Sequence, residues 1–195
     1  MFAGQDAGGH KGLAELGGQS MLAHIIARFR PQVQHLVLNA NGEPARFSHF
    51  GLEVVADAPH CAARGPLAGL VTAMQWAECS ARTFDAVATV TTDCPFIPRD
   101  LVAQLAARFD EAPLLAASGG DRHPAIGLWP MSAAGAVKAA AESGDWSLGR
   151  LATRLNGLAV DFPLSKVGAL TADPFFNANT PDDLAAARTL LRHMT

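Results

Sequence analysis

Three apolar runs of this 195-residue chain end in side chains able to hold a ligand: "HLVLNAN" delivers Asn39, "LEVVAD" delivers Asp57 and "FDAVATVTTDCPF" delivers Asp93. Asp93 offers the best-defined chemistry. A carboxylate at a strand end suits Mg²⁺, which takes oxygen ligands and commonly bridges one or two protein carboxylates to substrate phosphates. A turn-forming Asp ahead of a proline leaves the same local signature. On spacing alone the turn reading weighs at least as much at Asp93, and more at Asp57 and Asn39.

The opening "MFAGQDAGGHKG" has the composition of a phosphate loop. Gly4, Gly8 and Gly9 would expose backbone N–H groups to phosphate oxygens, and Lys11 would add a point charge. It does not match a Walker A loop, which needs glycine directly before the lysine and Ser or Thr after it; here the order is His10-Lys11-Gly12. It does not match a dinucleotide fingerprint either, because almost no strand precedes the glycines and their spacing differs. Composition alone favours a solvated lysine near a terminus. The seven histidines give no metal or triad spacing, and no serine stands in a nucleophile elbow.

The elements that must position these groups alternate in type. Ser20 caps a predicted helix whose Leu22, Ile25, Ile26 and Phe29 share one face, ended by Pro31. Strands are expected at 35–41, 52–57 and 84–96, with a helix over 65–77 that has proline in its first turn. A helix over 98–109, strands at 113–118 and 123–130, helices over 132–142 and 148–155 and a strand at 158–163 follow. The last helix, 179–194, has Thr180 as cap, Pro181 at its first position and Asp182 and Asp183 at the positive end of its dipole. The stretches 143–149 and 164–174 read as surface loops. This alternation predicts one α/β domain over 1–195, a mostly parallel sheet with helices on both faces. Ligands of such a sheet gather beyond the carboxyl ends of the strands.

Composition narrows the function. Apolar residues make up 49% and charged residues 17%, which excludes a disordered class. A net charge of −3 gives no electrostatic footprint for nucleic acid or an anionic membrane, so an anionic ligand must be held by local chemistry. Three widely spaced cysteines read as free thiols of a reducing cytosol, and no apolar run approaches the ~18 residues that span a bilayer. A cytoplasmic protein, monomeric by default, is the expectation.

Taken in order, "HKGLAELGGQSMLAHII", "LVLNANG", "GLEVVAD", "GPLAGL", "TTDCPFIPRDL", "RHPAIGLW" and "FFNANTPDDLA" resemble the molybdenum cofactor guanylyltransferase (MobA) family over nearly the whole chain. The resemblance implies a Rossmann-like nucleotidyltransferase fold and transfer of GMP from GTP to molybdopterin with release of pyrophosphate. It implies nucleotide contacts at Phe2, Ala3, Gly4, Lys11, Asn39 and Asp57, and a magnesium-binding acid at Asp93. Lys11 and Asp93 would be the catalytic pair, and Asn177 and Asn179 would face the pterin. Partners would be the two substrates and cofactor-assembly proteins. The alternatives, in order, are a relative that binds the pterin or a partner without catalysis, and a cytidylyltransferase acting on the same pterin. Four features depart from the family pattern: the first strand is nearly absent, the nucleotide loop is shorter, the usual arginine position is lost or occupied by Asp6, and His10 replaces the acid before Lys11. Losing that arginine would remove a bidentate phosphate contact that lysine cannot reproduce.

Overall fold

The computed structural model describes residues 11–59, 61, 62 and 64–194. A 3₁₀ turn at Lys11–Leu13 leads into a short antiparallel hairpin, β1 (Glu15–Leu16) and β2 (Gln19–Ser20). α1 (Met21–Phe29) starts where the Ser20 hydroxyl accepts a hydrogen bond from the Ala23 amide at 3.2 Å. That satisfies one of the free amides of the first turn. The helix gives way to a 3₁₀ turn, Arg30–Gln32, at Pro31. Next come β3 (Val37–Asn39), a 3₁₀ stretch Pro44–Phe50 that buries Phe47, and β4 (Glu53–Val55), parallel to β3. α2 (Pro66–Cys79) follows Gly65, whose φ of +79° suits glycine, and opens on Pro66 as the sequence predicts.

β5 (Ala86–Thr89), α3 (Leu101–Ala106), β6 (Leu114–Ser118), the long β7 (Asp121–Pro130), α4 (Ala134–Glu142), α5 (Leu148–Arg154) and β8 (Leu158–Asp161) complete the central part. The four strands form one sheet in the order β5-β7-β6-β8. β7 is antiparallel to both neighbours and β6 is parallel to β8, so β5, β6 and β8 run one way and β7 alone is reversed. The expected α/β sheet with helices on both faces is present as a mixed sheet, in which β6 and β8 are parallel and β7 is antiparallel to both its neighbours. Of the expected strands β7 is longer than the run that announced it and the others are shorter.

Alternate side chains divide between two cores. Leu114, Ala116, Leu128 and Val160 join Leu22, Ile25 and Phe29 of α1 and Leu101 and Leu105 of α3. Leu115 and Trp129 join Leu67, Leu70 and Met74 of α2, Val137 of α4 and Leu151 of α5. Each fully buried side chain of this size contributes about 1.5–3 kcal/mol, and the period-2 pattern is what covers the sheet on both faces. α2 packs on both β3 and β5, so it spans the two sheets. Among the described residues β3 pairs with β4 and β5 with β7, and a cavity of about 390 Å³ opens between their other edges, walled by Val33, Val37, Trp76, Phe84, Ala88 and Phe109.

The segment 164–174, expected as a loop, contains a hairpin, β9 (Ser165–Val167) and β10 (Leu170–Ala172), turning at Gly168 with φ +63°. Its exposed Leu164 and Leu170 give no alternation by which to recognise it. The 84–96 strand ends at Thr89, and Thr92 and Asp93 lie in the turn beyond it. No described helix is long and apolar enough to cross a membrane.

α6 (Pro181–Met194) is held by a reciprocal cap. The Thr180 hydroxyl accepts from the Asp183 amide at 3.1 Å, while Asp183 Oδ2 accepts from the amides of Thr180 and Asn179 at 2.9 and 3.1 Å. These bonds, those with Thr180 foremost, hold the Asp183 carboxyl below the ordinary carboxylate range. A lowered acid stabilises the fold above its unfolded pKa, and that contribution disappears as pH falls through the lowered value. Thr180→Ala should cost about 1 kcal/mol, read as a lower Tm near neutral pH. The difference from the parent should shrink as pH falls below the ordinary carboxylate range and through the lowered Asp183 value; a loss that stays constant down to the pH of acid unfolding would contradict this account of the cap.

Candidate active site

The sequence-predicted residues assemble into two hydrogen-bonded groups. The first stands at the ends of β3 and β4. Asn39 is 5% exposed, and its Nδ2 donates to Val55 O and to Asp57 Oδ1, both at 2.9 Å. Asn41 and Asp57 exchange bonds: Asn41 Nδ2 donates to Asp57 Oδ2 at 2.8 Å, and the Asp57 amide donates to Asn41 Oδ1 at 2.9 Å. Thr72 of α2 places its hydroxyl 2.8 Å from Asp57 Oδ1 and 3.0 Å from Ala68 O. Asp57 thus gathers two strand ends and a helix. A carboxylate has about four lone-pair sites, and side chains of this group reach three of them. Asn41 and Thr72 were missed in the sequence. Asn41 is hidden in the "NANG" turn, and Thr72 shows only as a polar residue inside an otherwise apolar helical run.

The second group surrounds the turn after β5. Gly12 is buried against it: a Cβ there would lie 3.1 Å from Thr92 Cβ and 3.2 Å from Thr92 O. The missing side chain is what lets the Lys11 turn approach the turn that carries Asp93. Lys11 Nζ donates to Asn179 Oδ1 at 3.2 Å, across 168 residues of sequence. The Ala178 amide donates to Asp93 O at 2.9 Å. Lysine, carboxylate turn and late asparagine motif therefore form one unit. Asn177 is exposed on the same segment. Phe2, Ala3 and Gly4 lie outside the described residues.

Cys94 reinforces the unit. Its thiol donates to Phe175 O at 3.3 Å and accepts from Thr91 Oγ1 at 3.2 Å. Burial, with the Asp93 charge second, pushes it up to about 12, so it remains a neutral donor. The Asp93 carboxylate is half-buried. Its side-chain contact among the described residues is a long one, 3.8 Å from Cys94 Sγ, which leaves oxygen lone pairs open to a cation. Among the described residues no three His, Cys, Asp or Glu side chains converge to hold a metal by themselves. A hard cation bound by one carboxylate and completed by substrate phosphate oxygens suits that donor set.

The model of the MobA-like NTP transferase domain matches residues 3–158. The molybdenum cofactor guanylyltransferase of Bradyrhizobium sp. (strain ORS 278) is 44% identical over 188 residues, covering 94% of this chain and 85% of its own. The chain belongs to the MobA-like NTP transferase family. The corresponding Mesorhizobium japonicum protein is 42% identical over 96% of this chain and 90% of its own. In fold, this family member is similar to the molybdopterin-guanine dinucleotide biosynthesis protein A of Archaeoglobus fulgidus, with a TM-score of 0.72, 22% identity and coverage of 97% and 94%. It is also similar to the 2-C-methyl-D-erythritol 4-phosphate cytidylyltransferase of Thermus thermophilus, with a TM-score of 0.64, 19% identity and 95% of each chain covered. The protein is a nucleotidyltransferase of the Rossmann-like kind.

Two outcomes check the geometry. Gly12→Ala forces Thr92 and the lysine turn apart, so nucleotide affinity should fall about ten-fold or more while the fold remains intact by circular dichroism; unchanged affinity would mean the close approach is dispensable. Of the three cysteines, Cys79 is exposed and Cys61 and Cys94 are buried. A thiol reagent should titrate one thiol in the native protein and three after unfolding.

Proposed function

We propose that this nucleotidyltransferase transfers GMP from GTP to molybdopterin, giving the guanine dinucleotide cofactor and pyrophosphate. The hydrogen-bonded unit of Lys11, Asn179 and the Asp93 turn carries the reading. The name shared by the Bradyrhizobium and Mesorhizobium relatives supports the choice of nucleotide and acceptor. In the reaction a terminal phosphate oxygen of the pterin attacks the α-phosphorus of GTP. The bond from Pα to the bridging oxygen breaks, and pyrophosphate leaves with its electron pair. Little proton transfer is needed, so the protein's work is positioning and charge neutralisation.

In this reading Lys11 offsets charge that grows toward the leaving pyrophosphate, and its bond to Asn179 ties that function to the acceptor side. Asn177 and Asn179 face the pterin. Asp93 would hold Mg²⁺, which would supply charge neutralisation at the α-phosphate. Phe2, Ala3 and Gly4 would add nucleotide contacts. Asn39 and Asp57 contribute at the nucleoside end, where the pre-set bonds of Asn39, Asn41 and Thr72 fix the Asp57 carboxylate. Its remaining lone pair can accept one bond from a base edge, and guanine offers N1–H and N2–H donors that adenine lacks.

Titration calorimetry with GTP, with and without Mg²⁺, followed by a pyrophosphate-release assay with molybdopterin, tests the proposal. Saturable Mg²⁺-dependent binding and acceptor-dependent release are expected. Asp93→Ala should weaken Mg²⁺-dependent binding and lower turnover at least 100-fold, the scale of losing one electrostatic contact to a phosphoryl transition state. Displacement of GTP by CTP with faster CTP turnover would identify a cytidylyltransferase. Pterin binding without pyrophosphate release would identify a non-catalytic relative.

A further inference from the structure

The segment between β10 and α6 carries Asn177, Asn179 and the Ala178 amide, so what holds it decides where they stand. Its first anchor is Asp173. Asp173 Oδ1 accepts from the Phe175 amide at 2.8 Å and from the Ser118 hydroxyl at 2.7 Å. Ser118 ends β6 and is 1% exposed. The same hydroxyl lies 2.8 Å from His123 Nε2, near the start of β7. A serine hydroxyl has one proton to give. With that proton on Asp173, the Ser118 oxygen must accept from His123, which requires the Nε2–H form of the ring. The sequence Ser-His-Asp invites a hydrolase reading, but the order of bonds excludes it. The serine is in the middle, its proton points to the carboxylate, and its oxygen is sealed from solvent.

The geometry points to His123 as a positioning residue: through Ser118 and Asp173 it fixes the segment that bears Asn177 and Asn179. The His123 ring also packs on Phe175, with centroids 4.9 Å apart, and Phe175 O is the acceptor for the Cys94 thiol. One face of the clamp is therefore a hydrogen-bond relay and the other a ring contact. Both act on the segment that reaches Asp93 O and Lys11. Disrupting the relay frees the start of the segment while the ring contact stays. The consequence for the acceptor rests on the guanylyltransferase reading; the clamp itself does not.

Three variants separate the relay from plain packing. Ser118→Ala removes its centre, His123→Phe keeps a ring on Phe175 without the donor, and His123→Gln keeps a donor at the Nε2 position. Amide hydrogen exchange at Phe175 and Ala178 should accelerate about ten-fold in Ser118→Ala and His123→Phe, the scale of one lost hydrogen bond, and return toward the parent rate in His123→Gln. In turnover assays the first two should raise KM for molybdopterin about ten-fold with KM for GTP little changed, and His123→Gln should restore it. Parent-like exchange in His123→Phe, or failure of His123→Gln to differ from His123→Phe, would overturn the proposal. The expected exchange pattern in a chain that does not turn over GTP and molybdopterin would leave the clamp standing and overturn the proposed function instead.

Discussion

The site depends on one close approach, Gly12 against the turn after β5. A Cβ at Gly12 would stand 3.1 Å from Thr92 Cβ, closer than ordinary van der Waals contact, so the absent side chain lets the Lys11 turn come this near without displacing Thr92. From the other side the Ala178 amide reaches Asp93 O, and the Cys94 thiol reaches Phe175 O. Three distant parts of the chain thus converge on a few residues of irregular backbone. Their order is bought by packing and hydrogen bonds made outside the turn, since it lacks a ladder of its own.

The regular frame exists to present that turn. β5, β6 and β8 run in one direction with β7 reversed between β5 and β6, so the carboxyl ends of β5 and β6 and the start of β7 share an edge. Ser118, His123 and the Asp93 turn all belong to that edge. Gln32 locks the helices of one face: its Nε2 donates to Pro98 O and its Oε1 accepts from the Val102 amide, both at 2.8 Å. On the other face Trp76 Nε1 of α2 donates to Glu53 Oε1 of β4 at 2.9 Å. A rigid sheet with covers fastened at both faces limits how far the loops can drift, which is what a reaction run by positioning requires.

How much of this could be read in the sequence follows from the range of each interaction. The helices were legible because caps and apolar spacing act over a few residues: Ser20 caps α1, and Pro181 and Thr180 mark the start of α6. The strands β3 to β8 were legible and their lengths were not, because the run through Asp93 continues in valine and threonine after pairing with β7 stops at Thr89, and the two-residue strands β1 and β2 are too short to show any alternation. The β9–β10 hairpin escaped because it buries almost nothing on its own, leaving no periodicity. Within the site, Asp57 could be singled out as an acid at a strand end, but its partner Thr72 lies on a helix, and a lone threonine among apolar residues carries no local sign of a carboxylate across from it. The bond from Lys11 to Asn179 is beyond local reading altogether.

The protonation of Cys94 shows how the arrangement constrains itself. A thiolate next to Asp93 would place two negative groups side by side, and it would leave Phe175 O without its donor. Burial first, and the Asp93 charge second, raise the thiol to about 12. At neutral pH the group therefore stays protonated, and the carboxylate that makes ionisation unfavourable is the one that needs the neighbouring position neutral. The same burial that keeps Cys94 inert as a nucleophile makes it dependable as a hydrogen-bond donor. The segment that carries the late asparagine motif is thus held beside Asp93 by the Cys94 thiol as well as by the Ala178 amide, without adding charge to a chain that already carries a net −3.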